Sequence, residues 1–256
     1  MLKVLVRIFT SPFYPVRFKD FFVADQFMSL GLTFQCLAYL ISFSSWSATH
    51  RMTSVKVENR WFVLIMALLP ASFRILQCLR RYWDTGMWFP HIANLIKYSC
   101  SFSVQIWAYL STFERLGFFK NVQIVALIIS TIYSLLWDIV MDFGLYLECS
   151  KNLFLRKTIL FRRPIYYYGI VLMDVIGRLL WILPLTVHIL CPKVIGPTGR
   201  HPMLLLTLLL AVFESVRRIV WNFFRVEYEQ INNCNSMRAV ADVQLPFRIA
   251  DLFYQD

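Results

Sequence analysis

The chain has 256 residues, of which 58% are hydrophobic and 17% aromatic, with a formal net charge of +11. Only 16% are charged, against roughly 25% in soluble domains, so a soluble globular protein is excluded: too few polar residues remain to cover the surface. With a mean hydropathy of +0.57, the chain reads as an integral membrane protein.

The chain opens with MLKVLVRIFTSPFYPVRFKD, where Lys3, Arg7, Arg17 and Lys19 leave no apolar stretch of signal-peptide length. Six apolar runs follow at Phe21–Trp46, Trp61–Leu79, Ile92–Phe113, Val122–Leu147, Ile165–Leu190 and Met203–Phe224. Each is near the ~20 residues that a helix needs to cross a bilayer, and the longer ones permit tilt. The third is the least regular, because Asn94 and Lys97 sit near its start. Proline and glycine punctuate the runs at Phe89-Pro90, Arg163-Pro164 and Cys191–Pro202. The prediction is an all-α integral membrane protein, a bundle of about six transmembrane helices over residues 21–226. A cytosolic segment (1–20) precedes it and a polar cytosolic tail (227–256) follows.

Lys and Arg outside the runs fix the expected orientation. One side collects Lys3, Arg7, Arg17, Lys19, Arg80, Arg81, Lys151, Arg156, Lys157, Arg162, Arg163, Arg225, Arg238 and Arg248. The other has half as many: Arg51, Lys56, Arg60, Arg115, Lys120, Lys193 and Arg200. The positive-inside rule then places both termini in the cytosol, with the basic loops beside anionic lipid. Membrane lipid, not nucleic acid, is the partner this charge implies. Six scattered cysteines and four isolated histidines form no C-x-x-C and no metal spacing, so no metal, redox centre or cofactor is expected.

The informative charges lie inside the runs. Arg74, Lys97, Arg178, Arg217 and Arg218 are matched in number by Asp25, Asp138, Asp142, Asp174 and Glu214. An ionisable side chain at mid-bilayer costs about 2.5–3.5 kcal/mol on insertion scales, so such groups face the bundle interior or a wet cavity. Spacing agrees. Glu214, Arg217, Arg218, Trp221 and Arg225 form one helical stripe, and Asp174, Arg178 and Trp181 another. Asp138 and Asp142 are four apart, and Arg74, Gln77 and Arg81 share a face. If these stripes converge, they line a polar route. Arginine donors fit carboxylate and phosphate oxygens. The carboxylates would balance the arginines when the route is empty. They would also keep the anion from binding too tightly to leave. The bland alternative is an inert network of ion pairs that fixes helix packing.

Several ordered segments carry a resemblance: FKDFFVADQ (18–26), FRILQCLRRYWDT (73–85), PHIANLIKYS, LLWDIVMDFGL (135–145), YYYGIVLMDVIGRLLW and ESVRRIVWNFFRVEYEQINNC (214–234). They resemble the EXS domain, the C-terminal part of the phosphate exporters known as xenotropic and polytropic retrovirus receptors. The resemblance runs from about Pro12 to Asp242 and implies export of inorganic phosphate through six helices. It implies pathway roles for Asp25, Arg74, Lys97, Asp138, Asp142, Arg178, Trp181, Glu214, Arg217 and Arg218. Asp174 comes from the spacing alone and reads as an i, i+4 partner of Arg178. Family exporters begin with an SPX domain that senses inositol pyrophosphates, followed by further helices. Neither is in this sequence, so such regulation, and a dimer through those helices, are not expected of these residues. Met28 stands where the resemblance implies an asparagine, which removes one substrate contact.

The expected mechanism is channel-like or alternating passage of phosphate. Arg178, Arg217 and Arg218 hold the anion, Arg74 and Lys97 serve as further stations, and Trp181 and Trp221 form an aromatic gate, with packing or an interface belt as the alternative for these two. Arg80 and Arg81 read as plain positive-inside charge, with a cytosolic vestibule as the alternative. The membrane is the plasma membrane or a Golgi-type endomembrane. A homo-oligomer or an association with a longer family member stays open. An enzyme is not expected, because no nucleophile or metal set accompanies the arginines. The alternative is a non-transporting trafficking factor or accessory subunit built on the same domain.

Overall fold

The structure is a computed structural model that describes residues 2–49, 60–113, 117–145, 154–156, 159–161, 163–190 and 200–232. The loop charges Arg51, Lys56, Arg115, Lys151, Lys157, Arg162 and Lys193, and the tail from residue 233 with Arg238 and Arg248, lie outside the described residues.

The described residues form an all-α membrane protein with several long apolar helices. The N-terminal segment is itself helical over Leu2–Phe9 (α1). Its Ile8 is fully buried with Ala24 and Phe73. Arg7 Nε donates to Asp20 Oδ2 at 2.8 Å, and the same oxygen accepts from the backbone N–H of Arg17. Asp20 thereby ties α1 to the start of the next helix.

The first apolar run is not the single helix that its length predicts. It breaks into Phe18–Ser29 (α2) and Gly31–Thr49 (α3), which meet at 69°. Leu30, at φ −94° and ψ 16°, leaves helical geometry there. The second run becomes Arg60–Thr85 (α4), with Pro70 buried in its interior. A bilayer helix tolerates such a proline because neighbouring helices and hydroxyls satisfy the freed backbone. His91–Leu110 forms α5 and Phe118–Trp137 forms α6. At Asp138–Asp142 the helix widens to a π turn, where the N–H of Phe143 reaches the Asp138 carbonyl at 2.9 Å. Such turns often sit at functional sites.

The fifth run also divides, into Ile165–Leu179 (α7) and Ile182–Leu190 (α8). Pro184 explains the break: a proline ring clashes with the carbonyl four residues back, here Leu180, unless it lies in a first turn. The last helix, α9, runs from Arg200 to Asn232. At 33 residues it is roughly 50 Å long, more than a bilayer core needs. It passes beyond position 226, and Glu227, Tyr228 and Glu229 are buried.

Three stretches are long and apolar enough to cross a bilayer: Arg60–Thr85, Phe118–Asp142 and Ile165–Val187. The bent α2–α3 pair makes a fourth. α5 and α9 are long enough but carry polar and charged residues within them. α5 packs between α4 and α6, α2 lies against α4, and α7 lies against α9. A core of Phe143, Leu145, Leu155, Tyr167, Ile170, Trp221 and Phe224 seals the junction of the π turn, α7 and α9.

Candidate functional site

A central cavity of about 300 Å³ lies among α2, α5, α6, α7 and α9. It is lined by Asp25, Lys97, Asp138, Asp142, Arg178, Trp181, Glu214, Arg217 and Arg218. Nine of the ten residues singled out in the sequence therefore meet around one space. The tenth, Arg74, stands directly behind it. Its Nε pairs with Asp25 Oδ1 at 2.7 Å, and its guanidinium lies between the rings of Phe21 (4.2 Å) and Tyr98 (4.7 Å).

Helix geometry explains the convergence. On α9, Glu214, Arg217, Arg218 and Trp221 recur every three or four residues and face one side. The bend after Ser29 brings that hydroxyl to α9, where it donates to Glu214 Oε1 at 2.6 Å and accepts from Arg218 Nε at 2.7 Å. Nearby, Gln26 and Asn222 exchange amide hydrogen bonds at 2.8 and 3.2 Å.

Most of the charges are paired across helices. Arg178 donates to Asp138. Arg217 donates to Asp174 and, at 2.7 Å, to both oxygens of Glu214. Asp174 is thus chiefly the partner of Arg217; its expected i, i+4 partner Arg178 lies at 3.9 Å. Arg225 Nε stands 3.5 Å from Asp142 and its Nη1 reaches Glu229 at 3.2 Å. Close approach of α7 to α9 makes this possible. A Cβ on Gly177 would collide with Cδ of Arg217 and press on the Phe213 ring.

Two cavity cations differ from the rest. Lys97 and Arg218 form no ion pair among the described residues. Lys97 is buried with its Nζ 4.6 Å from the Tyr98 ring and 5.1 Å from the Trp137 ring. The Arg218 guanidinium lies 4.6 Å from the Trp221 ring. An aromatic face only partly replaces an anion, so both cations keep donors to offer. Hydroxyls complete the lining: Tyr98 Oη donates to Asp25 at 2.7 Å, Ser101 and Ser130 face each other at 3.3 Å, and Trp181 Nε1 donates to Thr131 at 3.0 Å. Met28 also lines the cavity, the position where asparagine was expected.

A smaller cavity of about 90 Å³ adjoins the first and shares Asp142 with it. Arg74, Arg81, His91 and Arg225 line this second space. Arg81 therefore faces a basic vestibule, whereas Arg80 pairs with Asp84 on the surface at 2.9 Å. Tyr98, Ser29 and Arg225 stand at the site beside the ten residues singled out in the sequence. The signal for each was present: Tyr98 adjoins Lys97, Ser29 follows Asp25 by one turn, and Arg225 continues the α9 stripe.

The sequence model of the EXS family matches residues 1–231. The chain is 37% identical over 261 residues to a xenotropic and polytropic retrovirus receptor 1 homolog of Danio rerio. It is 36% identical to the Xenopus laevis protein of the same name. It is also 37% identical over 264 residues to solute carrier family 53 member 1 of Homo sapiens. In each case 96% of this chain is aligned, and it spans 37% of the relative's length.

Proposed function

The chain belongs to the EXS family, and from that premise we propose that it moves inorganic phosphate across a membrane through the central cavity. The observation that carries this reading is the pair of cations, Lys97 and Arg218, that face one polar cavity and form no ion pair among the described residues. An oxyanion supplies what they lack. Low surrounding dielectric makes the attraction stronger than in water, and the ring of ion pairs limits it, so the anion can leave.

Phosphate reaches the small basic cavity, is drawn past Asp142, and is held by Lys97 and Arg218 with Tyr98 and Ser29 as neutral partners. Arg178 and Arg217, already paired, exchange a carboxylate oxygen for a phosphate oxygen as the anion passes. Trp181, tethered to Thr131, closes one wall. On the positive-inside reading the small basic cavity opens toward the cytosol, an entry side in keeping with export. The name of the human relative, a solute carrier, fits a transport role.

The test is release of labelled phosphate from liposomes containing the purified protein. Release above protein-free liposomes is expected. A folded protein that releases none favours the trafficking or accessory-subunit reading. Met28→Asn adds an amide donor to the same wall. It is expected to tighten phosphate binding by about fivefold, in line with one extra net hydrogen bond, read by equilibrium binding of labelled phosphate. Unchanged affinity would remove Met28 from the phosphate-contacting wall.

A further inference from the structure

A third cavity of about 520 Å³ lies between α3, α4 and α5 and shares Gln105 with the central one. At the shared residue, Gln35, which lines the third cavity, donates from Nε2 to Gln105 Oε1 at 3.4 Å. This bond is long and joins two neutral amides, so parting it costs little. On α5 the polar side chains Lys97, Ser101, Gln105 and Tyr109 recur every four residues, one strip along one face. The first three line the central cavity, and Gln105 and Tyr109 line the third.

The third cavity is equipped for an anion. The Tyr109 hydroxyl is buried and has no hydrogen-bond partner among the described residues. Arg60 lines the same space; its guanidinium lies 5.6 Å from the Phe113 ring and forms no ion pair among the described residues. Arg60 and Arg74 are fourteen residues apart on α4, about 20 Å along the axis. The third cavity therefore lies toward the opposite end of α4 from the small basic one. Elsewhere in the central cavity lining, Trp181 Nε1 donates to Thr131.

We infer that this cavity is a second oxyanion station, through which phosphate leaves the central cavity when the Gln35–Gln105 bond parts. Arg60 and the Tyr109 hydroxyl hold the anion there. The inference rests on the phosphate-passage reading of the central cavity. Lipid headgroup phosphate shares this chemistry, and an acyl chain is the rival occupant; neither would depend on space for a free anion.

Ala67 on α4 and Ala108 on α5 both line the cavity and carry no polar side chain. Ala67→Phe and Ala108→Phe, reconstituted beside wild type, fill the space without touching the central cavity. The expected result is labelled-phosphate binding in detergent equal to wild type, with release from liposomes at least roughly tenfold slower. Arg60→Gln adds no bulk and is expected to slow release about threefold or more. It also keeps the test decisive if one filled variant fails to fold. Release at the wild-type rate from the folded filled variants and from Arg60→Gln overturns the inference and leaves the cavity to lipid. Wild type that binds no phosphate overturns the central reading itself, and this inference with it.

Discussion

Arg218→Ala is expected to stop phosphate release while leaving the protein folded. The side chain faces the central cavity, donates to Ser29 at 2.7 Å and lies over Trp221. It forms no ion pair among the described residues, and Glu214 and Asp174 keep their pairs with Arg217, so its removal strands no buried anion. What is lost is a charge-assisted donor to the passing anion, worth about 1.5–3 kcal/mol, or roughly ten- to a hundredfold in affinity. The fold loses one hydrogen bond to a neutral hydroxyl, about 1 kcal/mol. Release from liposomes and thermal unfolding of the same preparation separate the two effects. Release at the wild-type rate would contradict the assignment.

Arg217→Ala, one residue earlier, is expected to fail differently. Arg217 is 2% exposed and holds Asp174 and Glu214, with Asp138 3.9 Å away. Truncation leaves two carboxylates without their guanidinium, and breaking a buried pair from one side typically costs about 3–5 kcal/mol. The variant should lose thermal stability and yield before transport can be judged. Adding Asp174→Asn should restore part of the loss, because it removes one stranded charge. A stable Arg217→Ala protein with unchanged unfolding temperature would show that these pairs do not hold α7 to α9.

The contrast between neighbouring arginines shows what the sequence could and could not tell. That Glu214, Arg217, Arg218, Trp221 and Arg225 form one stripe follows from helical periodicity, and that such stripes face inward follows from the cost of charge in a bilayer; that they converge was only a condition. Which cation meets which carboxylate did not follow, because pairing depends on how helices pack. Spacing suggested Asp174 for Arg178; the structure gives Arg178 to Asp138, and Asp174 to Arg217.

Loop charges were the least legible. Arg156 counted as plain cytosolic charge, yet it is 4% exposed. It pairs with Glu227 at 2.8 Å and donates to the Phe143 carbonyl at 2.9 Å. Arg225, counted with the tail, is 1% exposed. Nothing in the composition of residues 143–161 signals that Leu145, Leu155 and Arg156 fold back onto α9. The breaks at Leu30 and Leu180 were hidden for another reason: hydropathy reports an unbroken apolar run whether or not the helix bends. Pro184 was the one readable sign, and it marks the second break only.

The central claim is that Lys97 and Arg218 bind the anion that the other charges leave to them. Equilibrium binding of labelled inorganic phosphate to purified wild type, Lys97→Gln and Arg218→Gln tests it most directly, because both changes remove the charge and keep a polar amide, and neither residue forms an ion pair among the described residues. The account predicts saturable binding by wild type, weakened at least roughly tenfold in each variant. Wild-type affinity in both variants would contradict it and return the buried charges to a role in packing alone.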